Sequence, residues 1–172
     1  MSAAPADDVK CLFDAYADHY EPHLLNALDY QLPALLHQAV LTTTSAAAWD
    51  ILDLGCGTGL CGAPFKSAAK SLTGVDLSEK MLAVAAEQKI YDELIHLDLT
   101  TFLADKKTAY DLITAADVLV YMGDLSTLFQ QIRQALRQHG LFAFNTEICD
   151  DADYKMNQSG RFAHQKKYLD EL

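Results

Sequence analysis

Apolar positions recur at helical spacing through residues 8–40. Val9, Leu12, Phe13, Tyr16 and Tyr20 share one stripe, behind Asp7 or Asp8 as N-cap. Pro22 and Pro33 each suit a first helical turn, so this region predicts two or three short helices broken near Glu21 and Gln31. Thr42-Thr43-Thr44-Ser45 then predicts a polar connector. Beyond it the period changes. Ile51-Leu52-Asp53-Leu54 is an apolar run of strand length, stopped by Gly55, Gly57 and Gly59 at alternate positions, with a short helix expected over 60–70. Ser71-Leu72-Thr73-Gly74-Val75-Asp76 and Leu94-Ile95-His96-Leu97-Asp98 read as strands that end in an acid. Between them Ser78 caps a helix over 79–89 with Met81, Leu82 and Ala85 inward.

Residues 100–106 predict a turn or weak helix, and Asp111 to Ala116 a fourth strand, apolar throughout as a buried parallel strand requires. Asp124 or Ser126 caps a helix that turns Leu125, Leu128, Phe129, Ile132 and Leu136 inward and stops at His139-Gly140. Leu141 to Asn145 is the fifth strand, and the acidic tail ends in a helix from Phe162 to Leu172. Strand and helix thus alternate five times at roughly twenty-residue spacing, which predicts a doubly wound α/β fold with a mainly parallel sheet. Asp76, Asp98, Ala116-Asp117 and Asn145 then gather at the carboxyl ends of the strands, where such folds bind ligands.

The glycine loop narrows the chemistry. Alternating glycines admit positive φ and remove the Cβ atoms that would hold a ligand off the backbone. Gly57-Thr58-Gly59-Leu60-Cys61-Gly62 also satisfies G-x-G-x-x-G, and Asp76 follows Gly57 by nineteen residues, so an NAD-linked oxidoreductase is the alternative reading. Two features oppose it. Gly57 lies two residues beyond Gly55 rather than directly after the strand, and Asp53 would face a doubly charged pyrophosphate. A sulfonium nucleoside without phosphate reverses that sign.

The ordered segments Leu52-Asp53-Leu54-Gly55-Cys56-Gly57-Thr58-Gly59, Gly74-Val75-Asp76-Leu77-Ser78, Leu97-Asp98-Leu99 and Tyr110 to Leu119 resemble the class I methyltransferases that use S-adenosylmethionine (SAM). The resemblance implies a five-stranded Rossmann-like sheet in order 3-2-1-4-5 over residues 46–172, behind an N-terminal helical cap over 1–45. The usual C-terminal hairpin is missing, so the domain reads as truncated after its fifth strand and helix. It further implies SAM as cofactor, S-adenosylhomocysteine (SAH) as product, and a small-molecule acceptor; with the hairpin missing, a SAM-binding module without catalysis is a second alternative. By the same resemblance Gly55, Cys56, Gly57 and Gly59 take the methionine part, while Asp53 orders the loop or meets the ammonium through water. Asp76 with Leu77 takes the ribose, Asp98 and the Leu99 amide take the adenine, and Ala116 and Asp117 lie beside the transferred methyl.

Phe13-Asp14-Ala15-Tyr16-Ala17-Asp18-His19-Tyr20-Glu21, with Ser159 to His164, is most similar to predicted methyltransferases often fused to tetratricopeptide repeats. That likeness puts Tyr20 and Tyr16 over the pocket and makes Tyr20 a candidate catalytic group beside the Asp117 of the class I motif, and Arg161 and His164 are candidate substrate groups.

Composition adds boundaries. The chain has 172 residues, 51% of them hydrophobic, and a net charge of −11, which argues against a nucleic-acid partner. The N-terminal segment has no basic stretch leading into an apolar one, as a secretory signal would, and no segment reaches membrane-spanning length. Cys11, Cys56, Cys61 and Cys149 are scattered, without a CxxC pair or a metal-ligand cluster, which fits a cytoplasmic protein with reduced thiols and no bound metal. Oligomeric state is not legible.

Overall fold

The computed structural model describes Cys11, Asp14, residues 30–43 and residues 48–172. Tyr16 and Tyr20 lie outside the described residues, as does most of the expected 1–45 cap. Within it, α1 spans Leu32–Thr43, with Pro33 in its first turn as the sequence predicts.

The centre is a five-stranded sheet in order β3-β2-β1-β4-β5, parallel throughout. It is built from β1 (Trp49–Leu54), β2 (Ala69–Asp76), β3 (Glu93–His96), β4 (Tyr110–Ala115) and β5 (Leu136–Phe144). Side chains alternate across a strand, and the core follows that period. Leu52 and Leu54 of β1 join Val75, Ile113 and Ala115 on one face, covered by α3 (Leu99–Leu103) and α4 (Ser126–Ala135). Ile51 joins Leu72 and Leu112 on the other face, beneath Leu36 and Val40 of α1 and Phe65 of the 3₁₀ segment Ala63–Ala68. Asp53 and Thr114, in the same alternation as Ile51 and Leu112, fall on this second face as paired partners across β1 and β4. The remaining helix of the crossovers, α2, spans Glu79–Glu87, and the Ser78 hydroxyl accepts the Met81 amide as its cap.

Two element boundaries differ from the sequence reading. The helix expected to reach His139-Gly140 ends at Ala135, and Leu136 is already extended, paired with Tyr110. Gly140 serves a bulge in β5 instead of a helix terminus. His139 takes φ 65° beside it, and a Cβ at Gly140 would lie 3.0 Å from the Arg137 carbonyl. The bulge presents Arg137 to Asp50 at 2.8 Å and Asp111 at 2.6 Å, tying β5 to β1 and β4.

The tail also departs. Phe162–Gln165 forms strand β8 rather than a helical turn, set between β6 (Glu147–Cys149) and β7 (Tyr154–Met156), and only Lys166–Glu171 is helical (α5). Phe162, Ala163 and His164 are all buried there, and that tertiary burial overrides local helix preference. Among the described residues β5 pairs only with β4, and an apolar groove runs between it and α1.

Candidate functional site

Everything at the carboxyl edge of the sheet hangs on the loop that leaves β1. Gly55, Gly57 and Gly59 adopt φ of 63°, 54° and 100°, a region that side chains with a Cβ enter at a cost. The amides of Gly55 and Cys56 both reach the Val75 carbonyl, at 2.8 and 3.1 Å, which folds the loop back over β2. A Cβ on Gly55 would overlap Val118, whereas one on Gly57 would meet nothing within 4 Å. Gly57 therefore borders open space. The Thr58 hydroxyl beside it is buried and has no partner among the described residues.

Two carboxylates stand at the ends of β1 and β2 beside this loop, and one of them, Asp76, bonds its backbone. Asp76, at the end of β2, accepts the Gly57 amide at 2.8 Å on one oxygen and the Ser78 amide at 2.8 Å on the other. Burial pushes its carboxyl up, and the backbone amides pull it back only in part. Asp53 is wholly buried. Its oxygens accept the Tyr91 hydroxyl at 2.6 Å and the Thr114 hydroxyl at 2.8 Å. Desolvation raises its carboxyl to about 6 against those two bonds, with neighbouring Asp76 adding to the rise. Among the described residues no cation offsets either acid except His96, whose influence reaches Asp76.

Further along the edge, Asp98 caps α3, accepting the Thr101 amide at 2.9 Å and the Thr100 hydroxyl at 2.5 Å, all on one oxygen. Burial opposes its charge, yet these bonds outweigh it and hold the carboxyl below the ordinary value. Asp117 stands past β4 with φ 56°, locked reciprocally to Asn145: its amide donates to Asn145 Oδ1 at 2.7 Å and its Oδ1 accepts Asn145 Nδ2 at 2.9 Å. Tyr30 donates to the other oxygen at 2.9 Å, and Arg161 reaches Asp117 at 3.1 Å and Glu147 at 2.7 Å.

His164, offered above as a substrate group, is corrected by its surroundings. It is fully buried, with Nε2 facing the Met122 and Gly123 carbonyls at 2.9 and 3.0 Å and Nδ1 facing the Thr146 hydroxyl at 2.6 Å. Two carbonyls require Nε2 to donate, so Nδ1 accepts. The ring is a neutral strut joining β8 to the segment after β4, and burial lowers its affinity for a second proton.

A family model described as a methyltransferase domain matches residues 52–142, just over half of the chain. The chain belongs to the methyltransferase domain family. Relatives agree. It is 30% identical over 102 residues to a ubiquinone biosynthesis O-methyltransferase of Aromatoleum aromaticum, covering 56% of this chain and 43% of that one. It is 32% identical over 123 residues to a malonyl-acyl-carrier-protein O-methyltransferase of Halalkalibacterium halodurans, covering 66% and 44%. The chain thus spans less than half the length of these two relatives. Among solved structures, the DhpI–SAH complex matches with TM-score 0.74 at 20% identity, covering 96% of this chain and 84% of that one. SpnF, a 4+2 cyclase, matches with TM-score 0.76 at 18% identity, covering 99% and 71%. At such identities these likenesses establish the fold, which is the one the sequence predicts.

In this methyltransferase domain Gly55, Cys56, Gly57, Gly59, Asp53, Asp76 and Leu77 converge at the ends of β1 and β2, while Asp98 and Leu99 open α3 at the next strand. Ala116 and Asp117 stand across β1 from them, with Arg161 joined to Asp117. Sequence reasoning placed Asn145 on the ligand-binding edge without its pairing to Asp117, and it missed Tyr91, Thr114 and Glu147. It also left Asp14 and Tyr30 without roles, although Asp14 reaches the Ser78 hydroxyl at 2.6 Å and Tyr30 reaches Asp117. Thr114 was detectable as the polar residue of an apolar strand; Tyr91, in a connector, carried no such signal.

Proposed function

We propose that this chain is a SAM-dependent methyltransferase acting on a small molecule, with an oxygen or carboxyl group as the methyl acceptor. One observation carries the reading: a glycine loop with open space at Gly57 is bonded by Asp76 and neighbours the buried Asp53, and among the described residues these two acids have almost no cationic counterpart. A diphosphate would meet that field unfavourably, which disfavours the NAD reading; a ligand with sulfonium and ammonium centres is complementary to it.

In this reading the bare backbone of Gly55, Cys56, Gly57 and Gly59 receives the methionine part, with the Asp53 charge beneath it. Asp76 holds the ribose hydroxyls, since each of its oxygens accepts one amide and keeps a further lone pair. Leu77 flanks the sugar, and the second oxygen of Asp98 with the Leu99 amide takes the adenine. The reading keeps the proposed division into a cap over 1–45 and a domain over 46–172; the contacts of Asp14 with Ser78 and of Tyr30 with Asp117 support it. Tyr16 and Tyr20 belong to that cap, and the similarity to methyltransferases fused to tetratricopeptide repeats belongs with it.

Bound SAM would supply a methyl carbon already activated by its sulfonium, released as the acceptor bonds to it and the C–S electrons return to sulfur, giving neutral SAH. The chain's part is alignment. Ala116 gives the acceptor a small wall. Asp117 already accepts from Tyr30, Asn145 and Arg161, so we assign it to orienting the acceptor, with the acceptor's proton passing to solvent. Arg161, one-third exposed, offers a cation to an acidic group on the substrate. The test is incubation with SAM across a metabolite panel, assayed for SAH. Acceptor-dependent SAH formation is expected; SAM binding without turnover on any acceptor would reduce the chain to a binding module.

A further inference from the structure

Tyr91 sits between α2 and β3, in no segment that the methyltransferase reading uses, yet the backbone around it is shaped to admit it. A Cβ on Gly62 would overlap its hydroxyl and lie 2.7 Å from Cζ; one on Gly74 would lie 3.0 Å from Cε1, and one on Gly59 3.2 Å from Cε2. Three glycines, two from the loop segment and one from β2, leave a slot as wide as a phenol ring. At its end the hydroxyl donates to Asp53 at 2.6 Å.

What else faces Asp53 sharpens the point. From β4 comes the Thr114 hydroxyl, from β2 the acid Asp76, and from the glycine loop the thiols of Cys56 and Cys61, whose ionisation burial opposes. None of these is cationic. A carboxylate cut off from water and without a counter-ion keeps its charge only through the hydrogen bonds it accepts. Among the described residues there are two donors, and Tyr91 is one of them.

We propose that Tyr91 is a positioning residue of the cofactor crevice, held in the glycine slot so that its phenol keeps Asp53 anionic beneath the loop and favours a cationic donor over its neutral product. The proposal rests on the SAM reading above. Both SAM and SAH carry the same amino acid and nucleoside, and they differ in charge only at sulfur. Selection by Asp53 therefore appears as a ratio of their affinities, and it fades when Asp53 takes up a proton.

The sign follows from the direction of the shift. Asp53 gains its proton as pH falls through about 6, so SAM affinity should fall there while SAH affinity falls less. Tyr91→Phe keeps the ring in its slot and removes the donor. The loss of SAM affinity should then begin at higher pH, with about tenfold weaker SAM binding near neutrality and a smaller change for SAH.

Calorimetric titrations of SAM and SAH from pH 5 to 8.5 test this on the wild type, Tyr91→Phe and Asp53→Asn. Asp53→Asn should flatten the profile and lower the SAM-to-SAH preference most. Thr114→Val, which removes the other donor, serves in place of Tyr91→Phe if that variant fails to fold. A merely structural tyrosine would weaken both ligands equally and leave the pH profile in place. That outcome, or a Tyr91→Phe profile coincident with the wild type, overturns the proposal alone. A wild type that binds neither ligand overturns the functional reading and this one with it.

Discussion

Replacing Asp76 by alanine is expected to weaken SAM binding by at least about a hundredfold. The loss has two parts. The ligand would lose the carboxylate proposed to hold its sugar, a charge-assisted contact of the stronger kind. The loop would lose its own support as well, because the Gly57 and Ser78 amides both end on Asp76 and would be left without acceptors. Orphaned amides of this kind cost about 1–3 kcal/mol each when buried, so the melting temperature should fall too. Asp76→Asn separates the parts: its single carbonyl oxygen can serve one amide, while its NH₂ group faces the other donor. Its stability should lie between those of the wild type and the alanine variant, with most of the binding loss retained. Titration calorimetry alongside thermal unfolding reads both, and an Asp76→Ala chain that bound SAM like the parent would remove Asp76 from the pocket.

The second large effect is a contrast between neighbouring glycines. Gly55→Ala places a methyl group into Val118 on a backbone with φ 63°, so it should chiefly destabilise the fold, by the left-handed penalty of about 1–2 kcal/mol plus the clash. Adding Val118→Ala should recover the clash and leave the backbone penalty. Gly57→Ala meets no protein atom within 4 Å, so only the backbone penalty applies to stability. If the space beside Gly57 is the ligand's, that same methyl group should nevertheless reduce SAM affinity by tenfold or more, roughly the cost of overpacking a close contact. Gly55→Ala should thus lower the melting temperature more, and Gly57→Ala should lower affinity more per kcal/mol of stability lost. Equal ratios for the two variants would argue that the loop's open side is not the binding side.

How much of this was legible follows from what kind of signal each feature leaves. The strand–helix alternation and the glycine loop were readable because an apolar run broken by Gly55, Gly57 and Gly59, and strands ending in Asp76 and Asp98, state their backbone requirements locally; the sheet order came from the family resemblance. Ser78 as a helix cap was readable for the same reason, and its hydroxyl does accept the Met81 amide. Gly140 misled because a glycine after an amphipathic helix marks either a C-terminus or a bulge; the Arg137 pairing with Asp50 and Asp111 decides for the bulge, and those partners lie 87 and 26 residues away in sequence. Phe162–Gln165 misled because four residues carry too little periodicity to choose, and the neighbours β6 and β7 choose instead. His164 read as a substrate group beside an arginine, and only the fold reveals two carbonyls closing on Nε2. Tyr91 escaped altogether: the three glycines that admit it come together only in three dimensions.

The central claim is that the crevice at the ends of β1 and β2 receives a sulfonium nucleoside and rejects a diphosphate. Titrating the purified chain with SAM, SAH and NAD in one buffer addresses it most directly. The account predicts one-to-one binding of SAM and SAH with no heat from NAD; saturable NAD binding in the absence of any SAM binding would contradict it.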